Sequence, residues 1–414
     1  MQMLNSQYYC RRCGNYEQRL FYRYFCEKCQ QHCWYCRSCV NFGIVTTCTH
    51  IVVDTQEFSL DSVVYAWNGQ LSCAQAEASR MIREWICQQK TGMVYAVCGA
   101  GKTEMMFEGI YAALEAGKRI CWATPRTDVV KELQPRLQQA FPQTKLASHY
   151  QNSPDGQLDA QLVLATTHQL VRYYQAFDCI IIDEVDAFPY TVDTKLARFA
   201  ERALNEQGHF IYLTATPSQQ LRRKFQENQY EIWQLPGRYH RRALPVPKYC
   251  LWGTSRKIIT TRFLRKKLFR HLQTLIENDR VVMIFVPTIH CGEVFIGALS
   301  TEFGSQCDFV HSQDPDRQEK VQKLRERTLK ILVTTTILER GVTINWCEVV
   351  VLDADHEVFD WSALVQISGR VDRKNSDQYA SILFIGEAKT RAMMVAIKEI
   401  QACNKLAKKR GLIE

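Results

Sequence analysis

One run of eight residues, AVCGAGKT at 96–103, limits what this chain can fold into more than any other feature. It follows the apolar residues Met93–Val97 and precedes TEMMFEGIYAALEAG, whose apolar spacing is helical. A strand, a glycine-rich turn and a Lys-Thr pair opening a helix form the phosphate loop. Gly99, Ala100 and Gly101 are small enough for backbone N–H groups to turn inward around a phosphate. The helix N-terminus behind them favours negative charge. Lys102 supplies a point cation for β- and γ-phosphates, and Thr103 a hydroxyl for Mg²⁺. Glu104 belongs to the same expected nucleotide site. Ala96 stands at the first position, where a glycine is usual.

A second motif, CIIIDEVDAF at 179–188, is the expected partner. Four residues suited to a buried strand end in Asp183 and Glu184. Asp183 is placed to hold Mg²⁺, and Glu184 to orient and deprotonate an attacking water. Around these motifs β-rich runs alternate with helical patterns from about 60 to 218, and again from about 272 onward. The fold class expected is α/β, two tandem lobes with mostly parallel sheets, preceded by a small cysteine-rich module. The expected boundaries are 1–58 for the module, 59–235 for the first lobe, 236–271 for a basic connector and 272–414 for the second lobe.

Apolar residues make up 46% and charged residues 23%, which excludes disorder as the main state. No apolar run approaches the roughly 18 residues of a membrane span. The polar start MQMLNSQYYC does not read as a signal peptide, so the expected compartment is the cytoplasm. Thiols stay reduced there. Seven of the 18 cysteines nevertheless crowd between Cys10 and Cys39. Three CxxC pairs among them point to zinc rather than redox chemistry. Aliphatic residues are sparse in this segment, so metal is expected to carry its folding. Aromatics such as Tyr8, Tyr22 and Trp34 alternate with Arg11, Arg12 and Arg23. That pattern suits stacked bases and phosphates, or plain packing around zinc loops.

In order along the chain, the motifs resemble those of superfamily 2 helicases and translocases, which implies that the two α/β lobes are tandem RecA-like lobes behind a small cysteine-rich zinc module. Gln75 in GQLSCAQ matches the adenine-reading position. ATPR (123–126) and TTHQL (166–170) resemble the first two strand-contacting motifs, implying DNA contacts from Pro125, Arg126, Thr166 and Thr167. TATP (214–217) resembles the motif that couples nucleotide to strand. VTTTILERGVTI (333–344) implies DNA contacts from Thr335 and Thr336, with Gly341 near the nucleotide. QISGRVDR (366–373) implies arginine fingers at Arg370 and Arg373, with Asp372 between them.

The cysteine front, ATPRTDVVKEL, TTHQLVRYYQAFDCIIIDEVDAFPY and QISGRVDR together are similar to the late competence ComFA family of Gram-positive bacteria. That resemblance implies a cytoplasmic ATPase driven by single-stranded DNA and needed for DNA uptake in natural transformation. Implied partners are ComFC, DprA and the membrane channel ComEC, with a peripheral position at the inner face of the membrane. It also implies zinc on Cys10, Cys13, Cys36 and Cys39. Cys26, Cys29 and Cys33 are left for a second site with His32 or another donor, or as replacements for the second pair.

Net charge is +9, and it is not spread evenly. Residues 222–270 hold 14 Lys plus Arg against Glu227 and Glu231, a balance of +12, so the remainder sums to −3. Solvation or a polyanion contact both fit such a stretch. Two rivals to a translocase are a PriA-like restart helicase that unwinds duplex, and a zinc-module adaptor with ATP as a switch.

Overall fold

Strands as uniformly apolar as CIIID and VVMIF cannot leave either face in water, and the structure lays them in parallel inside two sheets. The computed structural model describes residues 2–4, 7–53, 58, 60, 62–153, 158–190, 193–339, 344–371 and 381–413. The chain divides into two units, Met1–Tyr95 with Lys102–Trp233, and Ala96–Gly101 with Gln234–Glu414.

In the first unit, seven strands run in the order Glu231–Leu235, Gly92–Ala96, Leu204–Thr214, Phe177–Asp183, Ile120–Thr124, Leu162–Thr166 and Leu146–His149. Every neighbouring pair from Gly92–Ala96 onward is parallel. The strands ending at Ala96, Thr124 and Thr166 are buried at every residue. Their C-terminal ends therefore deliver the loops that follow to one edge of the sheet.

The cysteine-rich front belongs to this unit and shares its core. Its strands Phe21–Cys26 and Gln31–Cys36 form an antiparallel hairpin. Buried Cys10, Cys13, Phe21 and Val45 join one apolar cluster with Leu196, Phe199 and Ala200 of the helix Thr194–Ala203. Phe42 meets Phe199 edge-on at 5.8 Å. Arg202 of the same helix donates from Nε to the Arg11 carbonyl at 3.0 Å and from Nη1 to the Tyr173 carbonyl at 2.6 Å. A module short of aliphatics thus completes its core against a lobe helix, instead of relying on metal alone.

The second unit has a six-stranded sheet, Lys248–Cys250, Ile382–Ile385, Cys347–Val351, Val281–Phe285, Ile331–Thr334 and Cys307–Val310, all parallel. Part of the stretch expected as a connector, 236–271, is structural here. Lys248–Cys250 is the edge strand, and Ser255–Thr260 and the start of Arg262–Glu277 are helices. Ile258, Leu268, Phe269 and Leu272 are buried in this unit's core. The reason is amphipathicity, because apolar positions at helical spacing lie within the basic run. The charges stay outside, where Arg262, Arg265, Lys266 and Arg270 line a shallow hollow. The loop 96–101 groups with this unit through Arg238, whose guanidinium donates to the Cys98 carbonyl at 3.2 Å and the Val371 carbonyl at 2.8 Å. Among the described residues no helix is long and apolar enough to cross a membrane.

Phe199 is 2% exposed, so Phe199→Ala should cost about 3–5 kcal/mol. Because that ring is shared with the front, the substitution should also open residues 1–53 to limited proteolysis. Unchanged resistance of the front would mean that it folds without the lobe.

Candidate functional site

The phosphate loop follows the buried strand Gly92–Ala96 and leads into the helix Lys102–Glu115. Gly99 and Gly101 have φ of +80° and +75°, a region that side chains disfavour. Ala100 and Thr103 are buried and Lys102 is half-buried. Glu104 pairs with Arg136 of the helix Thr127–Ala140, so its carboxylate is engaged beside the loop. Gln75 is buried and forms a capping box, its Oε1 accepting from the Ser72 N–H at 2.8 Å. That bond fixes the carboxamide's orientation at the start of the helix Cys73–Cys87.

At the end of Phe177–Asp183 the chain turns sharply. Glu184 has a left-handed φ of 56°, and its N–H donates to Asp183 Oδ1 at 2.9 Å. Burial pushes the Asp183 carboxyl up to about 7, helped by the Glu184 charge, while Lys102 pulls it down. Two residues on, Asp186 was not singled out in the sequence. Its carboxylate accepts from the hydroxyls of Thr214 and Thr216, both at 2.5 Å. The TATP segment is thereby clamped to the acidic turn. The spacing of DEVD was legible, but a contact between segments 28 and 30 residues apart was not.

The strand-contact motifs meet at a groove of about 750 Å³ in the first unit. Pro125, Thr166, His168 and Arg172 line one side, and Arg12 and Phe42 of the cysteine-rich front line another. Thr167 is fully buried, so the 3₁₀ turn Thr167–Arg172 offers His168, Gln169 and Arg172 to the groove in its place. Burial lowers the His168 pKa, disfavouring the charged ring. Arg126 is half-buried at the start of Thr127–Ala140. In the second unit, Thr335 and Thr336 are half-buried after the strand Ile331–Thr334. Arg370 is buried, and its guanidinium donates to the Glu339 carbonyl at 2.9 Å and 2.5 Å. Gly341 and Arg373 lie outside the described residues.

Cys10, Cys13, Cys36 and Cys39 converge, all buried, with their sulfurs within 4.8 Å of one another. Cys10 and Cys39 are 3.8 Å apart, and Cys13 and Cys36 3.6 Å. A tetrahedron with Zn–S bonds of about 2.3 Å has edges near ~3.8 Å, so this donor set fits zinc. Arg12 Nη2 donates to Cys39 Sγ at 3.1 Å and also to the Cys39 carbonyl at 2.6 Å. Asn15 Nδ2 donates to Cys36 Sγ at 3.7 Å. Such donors offset thiolate charge. Cys26, Cys29 and Cys33 stand apart from this cluster.

Two parallel α/β units, a phosphate loop and an acidic strand-end turn define a helicase-type ATPase, with ATP and Mg²⁺ as its cofactors. Family profiles agree, with "Type III restriction enzyme, res subunit" matching residues 68–219 and "Helicase conserved C-terminal domain" matching 265–375. The chain belongs to the competence protein ComFA family. The ComFA N-terminal domain profile matches residues 1–53. Competence protein ComFA of Bacillus subtilis is 39% identical over 407 residues, covering 97% of this chain and 87% of that protein. The Streptococcus pneumoniae ComFA is 36% identical, covering 92% and 91%. Among solved structures, S. cerevisiae Dbp5 bound to RNA and ADP BeF3 shares the fold, with TM-score 0.57 and 16% identity over 83% of this chain and 98% of that one.

The raised Asp183 pKa carries a pH signature. The folded state keeps this proton above the usual carboxylate range, near 4, where the unfolded chain releases it. Ionising the buried group therefore costs stability increasingly as pH rises from about 4 towards 7. Nucleotide-free Asp183→Asn should be more stable than wild type at pH 8, by about 1–3 kcal/mol, with little difference at pH 4. Equal Tm differences at both pH values would remove the carboxyl as the cause.

Proposed function

We propose that this protein is an ATP-driven translocase on single-stranded DNA that powers import of transforming DNA during natural competence. The observation that carries this reading is the groove. It follows the C-terminal ends of the strands ending at Thr124 and Thr166, on the sheet edge that also bears Asp183 and Glu184. Arg172 and Arg12 give it positive charge, and Phe42, Tyr150 and His168 give it ring faces. Such a lining suits backbone phosphates and stacked bases without reading sequence.

In this reading Lys102 and the loop amides bind the triphosphate, and Thr103 and Asp183 hold Mg²⁺, which neutralises developing charge when bound. Glu184 takes the proton of the attacking water. Because Arg370 already serves the Glu339 carbonyl, Arg373 is assigned as the finger. Asp186 passes the state of the acidic turn to Thr214 and Thr216. Cys10, Cys13, Cys36 and Cys39 hold zinc, fixing Arg12 and Phe42 at the groove wall. The reading carries with it the family's partners, ComFC, DprA and ComEC, and a cytoplasmic position that includes the membrane's inner face.

ATP turnover measured against single-stranded DNA tests this directly. Wild type should be stimulated by single strands. Lys102→Ala should lose turnover roughly 100-fold or more. Arg172→Glu should raise the strand concentration for half-maximal stimulation by about tenfold, the equivalent of one lost phosphate contact. Turnover indifferent to single strands would sink the translocase. An unchanged half-maximal concentration in Arg172→Glu would remove the groove.

A further inference from the structure

We infer that Cys26, Cys29, Cys33 and Cys48 form a second tetrathiolate zinc site, separate from the first, at the far end of the front hairpin. Their four sulfurs lie within 4.8 Å of one another. Cys26 and Cys48 are 3.7 Å apart, and Cys29 and Cys33 3.3 Å. A disulfide would need about 2.0 Å, and it would explain only two of the four. The first separation matches the ~3.8 Å edge of a tetrathiolate zinc centre and the second is shorter by about 0.5 Å, too long for an S–S bond and within a small side-chain adjustment of that edge.

The backbone brings the four together from three directions. Cys26 ends one hairpin strand, and Cys29 lies in the turn closed by the Gln30 N–H on the Cys26 carbonyl at 2.8 Å. Cys33 sits on the return strand. Cys48 arrives on a third segment that docks beside that strand. There Tyr35 bridges Thr46 in antiparallel sense, the Thr47 N–H donates to the Trp34 carbonyl at 3.0 Å, and the Trp34 N–H donates to Thr47 Oγ1 at 3.2 Å, a run that brings Cys48 level with Cys33. Thr46 Oγ1 lies 3.1 Å from Cys48 Sγ.

Strand geometry keeps the two clusters apart. Cys33 and Cys36 are an odd number of residues apart on one strand and so face opposite sides of the hairpin, as do Phe21 and Cys26 on the other. His32, the donor suggested by sequence, alternates with Cys33 and instead meets the Phe25 ring at 5.6 Å. Cys48 is the missing fourth ligand. It lacks a CxxC partner, so spacing alone did not reveal it.

The hairpin also needs such an anchor. A two-stranded ribbon is marginal by itself, and near this end Phe25 is 52% exposed. Four thiols converging where apolar packing is thin are the arrangement in which metal binding supplies folding energy. On binding, the coordinating thiols give up their protons as the sulfur–metal bonds form, and no electron is exchanged.

The choice of zinc rests on the reading of the first cluster, so the test separates the two. Full-length protein is purified under reductant with zinc and without chelator, and its metal is counted by inductively coupled plasma mass spectrometry. Wild type should hold about two zinc ions per chain, and Cys48→Ser and Cys13→Ser about one each. Cys29→Ser gives the same count as Cys48→Ser should that variant fold poorly. About one zinc in wild type, unchanged in Cys48→Ser and lost in Cys13→Ser, would overturn the second site and leave the first. One zinc unchanged in Cys13→Ser but lost in Cys48→Ser would overturn the first instead. A Cys29–Cys33 disulfide in the intact protein's mass would also end the proposal.

Discussion

Five parallel strands, all buried where they end along one edge, set everything else in the first unit. Gly92–Ala96, Ile120–Thr124 and Leu162–Thr166 are buried at every residue, and the other two are buried over their last four residues, so the polar loops begin where the strands end. Gly92–Ala96 ends in the phosphate loop, Phe177–Asp183 in the acidic turn and Leu204–Thr214 in the TATP segment. Ile120–Thr124 and Leu162–Thr166 end in the groove. The phosphate loop, the acidic turn and the groove are neighbours because the strand order of one sheet makes them so. The Asp186 carboxylate, bound by Thr214 and Thr216, is the polar link between two of those ends.

The cysteine-rich front extends the same edge. Arg202 joins it to the lobe by donating to Arg11 on one side and to Tyr173, just past the groove turn, on the other. Arg12 does the equivalent inside the front, binding the carbonyls of Cys39 and Phe42 while touching the Cys39 sulfur. A change in the cysteine cluster therefore reaches the groove wall through two or three bonds.

Much of this was legible in the sequence because it rests on local pattern. The phosphate loop, the acidic strand end and the apolar runs are each contained within about ten residues. Spacing marked Cys10–Cys13, Cys26–Cys29 and Cys36–Cys39 as three CxxC hooks, and the family resemblance paired the first with the last. What stayed hidden depends on contacts between distant segments. Asp186, Arg202 and Arg238 are ordinary charged residues until the fold brings a hydroxyl or a carbonyl to them. Cys48 has no local partner. The helix Arg262–Glu277 was masked by its own charge, since Leu268, Phe269 and Leu272 are a thin apolar stripe in a basic run. Thr167 and Arg370 matched motif positions but are buried, and a motif match carries no information on exposure.

The path of the nucleic acid is the most direct point of attack. Single-stranded DNA carrying 4-thiothymidine can be irradiated with the full-length protein and the crosslinked peptides mapped by mass spectrometry. A strand seated in the groove will mark peptides containing 125–127, 150–152 and 166–172, together with Asn41 and Phe42 of the front. Crosslinks confined to the basic face of Arg262–Glu277, with none in the groove, would contradict that path and the shared role of lobe and front in gripping the strand.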